Sequence, residues 1–193
     1  MRVFAALTLP AEVSAGISSA FSAARSLAPR VRWVPPQGMH LTLHFFGEIP
    51  EERIPGFSTL FDDPELGRPA IRTRLGAPGF FPTSGAPRVL WIGLQEGVEE
   101  MSDFWRLFTR KLEPLRRADG PLCEWAQDGR GFVPHVTVAR SGSTPLSTHW
   151  AKEVTVPSGE FLITECVLFQ SVLRAGGSHY VPLRIVRFQR GTA

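Results

Sequence analysis

His40 with Thr42, and His135 with Thr137, are the side chains whose type and spacing best suit chemistry. They stand in Met39-His40-Leu41-Thr42-Leu43-His44-Phe45-Phe46-Gly47 and in Phe132-Val133-Pro134-His135-Val136-Thr137-Val138-Ala139-Arg140. Each core reads His-x-Thr-x with Leu or Val at x. Side chains alternate faces along a strand, so each His shares a face with its Thr, while Leu41 and Leu43, or Val136 and Val138, fill the other. An imidazole takes up or releases a proton near neutral pH, and two of them facing one cleft can act as general base and general acid on opposite sides of a reacting centre. A phosphodiester suits that pair. One imidazole deprotonates the nucleophile and the other protonates the leaving oxygen; spacing alone does not say which does which. The Thr42 and Thr137 hydroxyls can donate to non-bridging phosphate oxygens.

Arg140 is the nearest cation for charge developing on those oxygens. Strict alternation points it away from His135 and Thr137 unless the strand ends or bulges there. The same alternation turns His44 toward His40 and Thr42, where a substrate contact and an ordinary solvated or core histidine stay equally open. On a helix, His40 and His44 would make a metal-ligand pair. Their neighbours Leu41, Leu43 and Phe45 favour a strand, and no acidic cluster accompanies them, so neither metal nor other cofactor is expected.

The elements that must position these residues can be read in order. Val3–Leu9 suits a strand, and Pro10-Ala11-Glu12 opens a helix to about Leu27, with an apolar stripe of Val13, Ile17, Phe21 and Ala24. Val31–Val34 is extended up to Pro35-Pro36, and the first His-x-Thr-x strand should stop near Gly47. A short helix fits Glu51–Phe61. Ala70–Leu75 reads as a half-exposed strand, Gly76–Pro87 as a Gly/Pro-rich connection and Arg88–Leu94 as a strand. Val98–Arg117 has helical spacing, with Pro114 expected to disturb its last turn, and Asp119–Arg130 reads as an irregular loop. Lys152–Val156 reads as a strand, Phe161–Leu173 as one strand or two, and Tyr180–Phe188 as the last, with Arg190 just beyond. A long helix precedes each motif, and His135 follows His40 by about half the chain, a rough internal repeat.

At 193 residues, 43% hydrophobic and 20% charged, the chain can bury a sizeable core as one bilobal unit over residues 1–193. No run approaches a membrane span and the N-terminus lacks a cleavage pattern, so a cytoplasmic protein, monomeric by default, is expected. The formal charge of +3 and pI near 9.4 favour an anionic partner. All but Lys111 and Lys152 of the 21 basic residues are arginine, whose planar fork suits phosphate. Cys123 and Cys166, without a CxxC pair, read as reduced thiols, a disulfide between them staying open.

The paired motifs, with Arg2-Val3-Phe4-Ala5-Ala6-Leu7-Thr8-Leu9-Pro10, Phe46-Gly47-Glu48, Arg88-Val89-Leu90-Trp91-Ile92-Gly93, Leu168-Phe169-Gln170-Ser171, Gly177 and Tyr180, resemble the 2H phosphoesterase superfamily. Within it, the RNA 2′,3′-cyclic phosphodiesterase, or 2′-5′ RNA ligase-like, family is the most similar. The likeness spans nearly the whole chain. It implies an α+β bilobal fold in which two antiparallel sheets line a central groove with helices packed outside. It also implies hydrolysis of an RNA 2′,3′-cyclic phosphate to a 2′-phosphate, with weak reverse 2′-5′ ligation in some members, and gives His40 the role of proton donor and His135 that of acceptor. Two rival readings are strands that merely tolerate polar residues, and a groove that binds an RNA end or nucleotide without turning it over.

Overall fold

The computed structural model describes residues 1–119, 131–142, 144–174 and 177–189. Nine strands form one antiparallel sheet. They are β1 (Arg2–Thr8), β2 (Arg32–Trp33), β3 (His40–Glu48), β4 (Ile71–Phe81), β5 (Val89–Leu94), β6 (His135–Arg140), β7 (Glu160–Ile163), β8 (Glu165–Arg174) and β9 (Gly177–Arg187). Their order is β7-β4-β5-β6-β3-β1-β8-β9, with β2 also on β6. The two motif strands, β3 and β6, lie side by side at the middle, and each is backed by three strands running outward. The two expected sheets therefore meet in a seam, where Leu41 pairs with Val136.

Helices α1 (Ala11–Ala20), α2 (Ser22–Leu27), α3 (Ile54–Phe61), α4 (Val98–Asp119) and α5 (His149–Glu153) complete the architecture. The first expected helix is broken once, at Phe21, yet Ile17, Phe21 and Ala24 all stay buried. In α4 the three- and four-residue spacing of Met101, Phe104, Phe108 and Leu112 buries one face, each such side chain contributing about 1.5–3 kcal/mol relative to exposure. Pro114 does not end this helix. Both Pro114 and Arg110, whose carbonyl loses its partner to the missing N–H, are exposed, so that carbonyl is not left unpaired inside the core.

Two other expectations are corrected. The first half of the Gly76–Pro87 connection is strand: β4 runs on to Phe81, with Phe80 opposite Leu90 and Phe81 opposite Val89, after a register slip between Leu75 and Pro78. A bulge tolerates proline, and Gly76 and Gly79 admit the close approach of β5. Lys152–Val156 is not a strand. Its first two residues end α5, where His149 Nε2 lies 2.9 Å from Glu153 Oε1 at i,i+4 spacing, and Trp150 packs on Trp33. Phe161–Leu173 resolves into β7 and β8, which break at Thr164 and go to opposite halves of the sheet. Cys166 is free, fully buried and paired in register with Leu7. Of the irregular loop expected over Asp119–Arg130, Asp119 instead ends α4, and residues 120–130, Cys123 among them, lie outside the described residues, as does Arg190.

Candidate active site

The local sequence before each motif fixes its imidazole. Pro35-Pro36 lead into a tight turn over Pro36–Gly38, and Pro134 holds Val133 extended. His40 Nδ1 then lies 2.8 Å from the Gly38 carbonyl oxygen, and His135 Nδ1 2.8 Å from that of Val133. A carbonyl only accepts, so each Nδ1 carries the proton and donates, and Nε2 is left for a ligand. Aromatic walls steady both rings. His40 rests on Phe4 at 4.9 Å and meets the edge of Tyr180 at 5.3 Å. His135 meets the edges of Phe81 at 5.1 Å and Trp91 at 6.0 Å.

Leu41 and Val136 are fully buried on one side of the seam. On the other side, the antiparallel direction sets His40 level with Thr137 and Thr42 level with His135, so each imidazole neighbours the other motif's hydroxyl. His40, Thr42, Thr137 and Arg140 line a cavity of about 430 Å³ together with Arg2 and Arg32. His135 flanks this cavity without lining it.

Two bulges decide the remaining side chains. In β6, Trp91 pairs with Thr137 and Leu90 with Ala139, which leaves Val138 as an extra residue. Val138 and Ala139 are consecutively buried, the alternation is reset, and Arg140 emerges beside Thr137, donating from Nη2 to its Oγ1 at 3.3 Å. The parity objection to Arg140 is thereby removed. In β3, Ala6 pairs with Thr42 and Ala5 with His44, and Leu43 is the extra residue. Here the reset takes His44 out of the groove and under α4, against the expectation from strict alternation, and brings Phe45 into the cavity. His44 stacks on Trp105 at 5.8 Å, and its Nε2 lies 2.7 Å from Thr109 Oγ1. Because the Thr109 hydroxyl donates to the Trp105 carbonyl, Nε2 is the donor in this contact. His40 and His44 thus face opposite sides of the sheet and share no ligand.

Burial shapes the electrostatics. It lowers the His40 pKa to about 4, against the Gly38 carbonyl, with the charges of Arg140 and His135 adding to the fall. His135 is lowered for the same first reason, opposed by the Val133 carbonyl and aided by Arg140. Arg140 is itself lowered by burial, Tyr180 opposing and Arg32 adding. With no anion present, both imidazoles are therefore neutral at pH 7 beside a cation, and a bound phosphate anion would draw a proton onto one of them.

The aromatic walls were not legible as site residues. Phe81 sits in a stretch that reads as a loop, and Phe4, Trp91 and Tyr180 read as ordinary strand residues. Period-two placement of Trp91 and Ile92 could have signalled one side chain on each face. No group of three or more His, Cys, Asp or Glu close enough for a metal occurs among the described residues.

Comparison with known proteins agrees with this geometry. Residues 7–91 match the family described as LigT like Phosphoesterase. A curated relative from Thermus thermophilus, named RNA 2′,3′-cyclic phosphodiesterase, is 36% identical over 145 residues, 72% of this chain and 68% of its own. A crystal structure of a Thermus thermophilus protein superposes with a TM-score of 0.74 at 31% identity, covering 97% of each chain. The Escherichia coli LigT structure complexed with 3′-AMP gives 0.70 at 26% identity over 98% of each. Likeness of this extent, over a chain whose two His-x-Thr-x strands meet in one seam, makes it a member of the LigT-like phosphoesterases of the 2H phosphoesterase superfamily.

Proposed function

We propose that this protein hydrolyses RNA 2′,3′-cyclic phosphate ends to 2′-phosphates by metal-independent, two-histidine acid–base catalysis, and that the chain is one bilobal unit. The observation that carries this reading is the pair of imidazoles, each with Nδ1 committed to a carbonyl and Nε2 left free, on the two strands of one seam. The name of the Thermus thermophilus relative and the 3′-AMP bound by Escherichia coli LigT support the substrate class.

The cyclic phosphate sits over the seam. His135 Nε2 takes a proton from water, the new P–O bond forms, and the bond from phosphorus to the 3′ oxygen breaks as His40 Nε2 delivers its proton to that oxygen. A 2′-phosphate and a 3′-hydroxyl result. The Thr42 and Thr137 hydroxyls and the Arg140 fork hold the non-bridging oxygens, where negative charge grows. The phosphate also offsets Arg140, raising the imidazole pKa values from their lowered unliganded state, so that the donor is charged when substrate is present. Run in the same direction with a 5′-hydroxyl in place of water as the nucleophile, the same steps form a 2′-5′ phosphodiester and release the 3′-hydroxyl, which is weak 2′-5′ ligation.

The test is incubation with an oligoribonucleotide ending in a 2′,3′-cyclic phosphate, followed by product identification. A 2′-phosphate end is expected. A 3′-phosphate would contradict the assignment of His40 to the 3′ oxygen, and uncleaved RNA that remains bound would favour a binding-only protein.

A further inference from the structure

The cavity extends beyond the four motif residues, and its outer part is built for a ligand the mechanism does not use. Arg32 on β2 is paired in register with Arg140 on β6. Like charges directly opposite one another across a ladder repel, yet no carboxylate lines the cavity, and among the described residues none lies within ion-pair distance of either side chain. Arg140 is committed to the reacting phosphate, so Arg32 stands as a second guanidinium one strand over. Beside them Phe45, carried into the cavity by the Leu43 bulge, is 48% exposed, unusual for a phenylalanine within a core motif. The Arg2 guanidinium lies over its ring, 4.9 Å from the centroid. A cation backed by an aromatic ring is a flat, sequence-tolerant platform for a nucleobase.

Resting on the cyclic phosphodiesterase reading, we propose that this outer end is the seat of the penultimate nucleotide of the RNA. Arg32 holds the phosphodiester between the last two nucleosides, and the Arg2–Phe45 pair stacks the penultimate base. The protein therefore selects an RNA end over a free nucleoside cyclic phosphate, with little preference for the base it stacks. The phosphate contact is ionic and weakens with salt.

Three substrates separate the parts: a nucleoside 2′,3′-cyclic phosphate, its 5′-phosphorylated form and a dinucleotide ending in the same group. kcat/KM is expected to rise about ten-fold or more from the first to the third, with the 5′-phosphate recovering the share owed to Arg32. Arg32→Ala should shrink the advantage of both phosphorylated substrates. Phe45→Ala, with Phe45→Leu as the variant that keeps apolar volume, should shrink only that of the dinucleotide. Equal kcat/KM for all three in the wild type, or a dinucleotide advantage that both Arg32→Ala and Phe45→Leu leave intact, overturns the proposal. Equilibrium binding of the matching 2′-phosphorylated mono- and dinucleotides keeps the two readings apart. Tighter dinucleotide binding without any hydrolysis sinks the catalytic reading and sustains this seat, whereas hydrolysis with equal binding and equal kcat/KM sinks the seat alone.

Discussion

Replacing His40 or His135 by Ala is expected to lower kcat by ~10²–10⁴-fold with a smaller effect on thermal unfolding, because each ring is only partly buried, held on one side by aromatic neighbours. Steady-state kinetics beside a melting curve checks this. Thr42→Ala and Thr137→Ala should be milder, since water can replace a hydroxyl donor. Arg140→Ala should weaken phosphate stabilisation, and Arg140→Lys should restore only part, because the planar fork is lost; equal rates in Lys and wild type would reduce Arg140 to general electrostatics. These five residues were legible because a polar pair in an apolar strand stands out, and twice in one chain more so. The direction of Arg140 and the position of His44 were not, since each depends on one extra residue, Val138 or Leu43, that alternation cannot foresee. Both bulges fall at the last x of the His-x-Thr-x core.

At the scale of elements, β4 supports the site through aromatic contact. A Cβ at Gly79 would intrude on the Trp91 ring, and Trp91 with Phe81 walls His135. Gly79→Ala is therefore expected to lower kcat several-fold and alter tryptophan emission, while unchanged kinetics would detach β4 from the site. The helix α4 is coupled to β3 by His44. Its pKa is lowered to about 4 by burial, below the unfolded value of ~6.5, so the fold favours the neutral ring. That contribution is complete above about pH 6.5 and is lost as pH falls toward 4, on the order of 2 kcal/mol. Urea unfolding of wild type should show the loss between about pH 7 and 4.5, and His44→Gln, which cannot titrate, should lose less. The helices and most strands were legible from period and breakers. The extension of β4 was hidden by Gly76, Pro78 and Gly79, which read as a loop until pairing with β5 supplies the reason for strand.

Across the whole molecule, the seam makes two similar halves into one site. β3 and β6 each carry an imidazole, a hydroxyl and a bulge, and each is flanked by a partner strand, β1 or β5, that supplies an aromatic wall. This plan was legible only as a rough repeat, because chain spacing says nothing about which strands become neighbours; β7 and β8, adjacent in sequence, end in opposite halves. The proposed division of labour, with His40 as donor and His135 as acceptor, is what a pH–rate profile tests. For wild type, His40→Ala and His135→Ala, kcat/KM on a 2′,3′-cyclic-phosphate-ended RNA would be followed across about pH 4 to 9, in EDTA, to span both lowered imidazoles. The wild type should give a bell whose maximum lies below about pH 6.5, because both free-enzyme pKa values are lowered. His40→Ala, deprived of the donor, should lose the alkaline fall, and His135→Ala, deprived of the acceptor, should lose the acid fall. A full bell persisting in both variants, or activity that EDTA abolishes and a divalent metal restores, would contradict the two-histidine account.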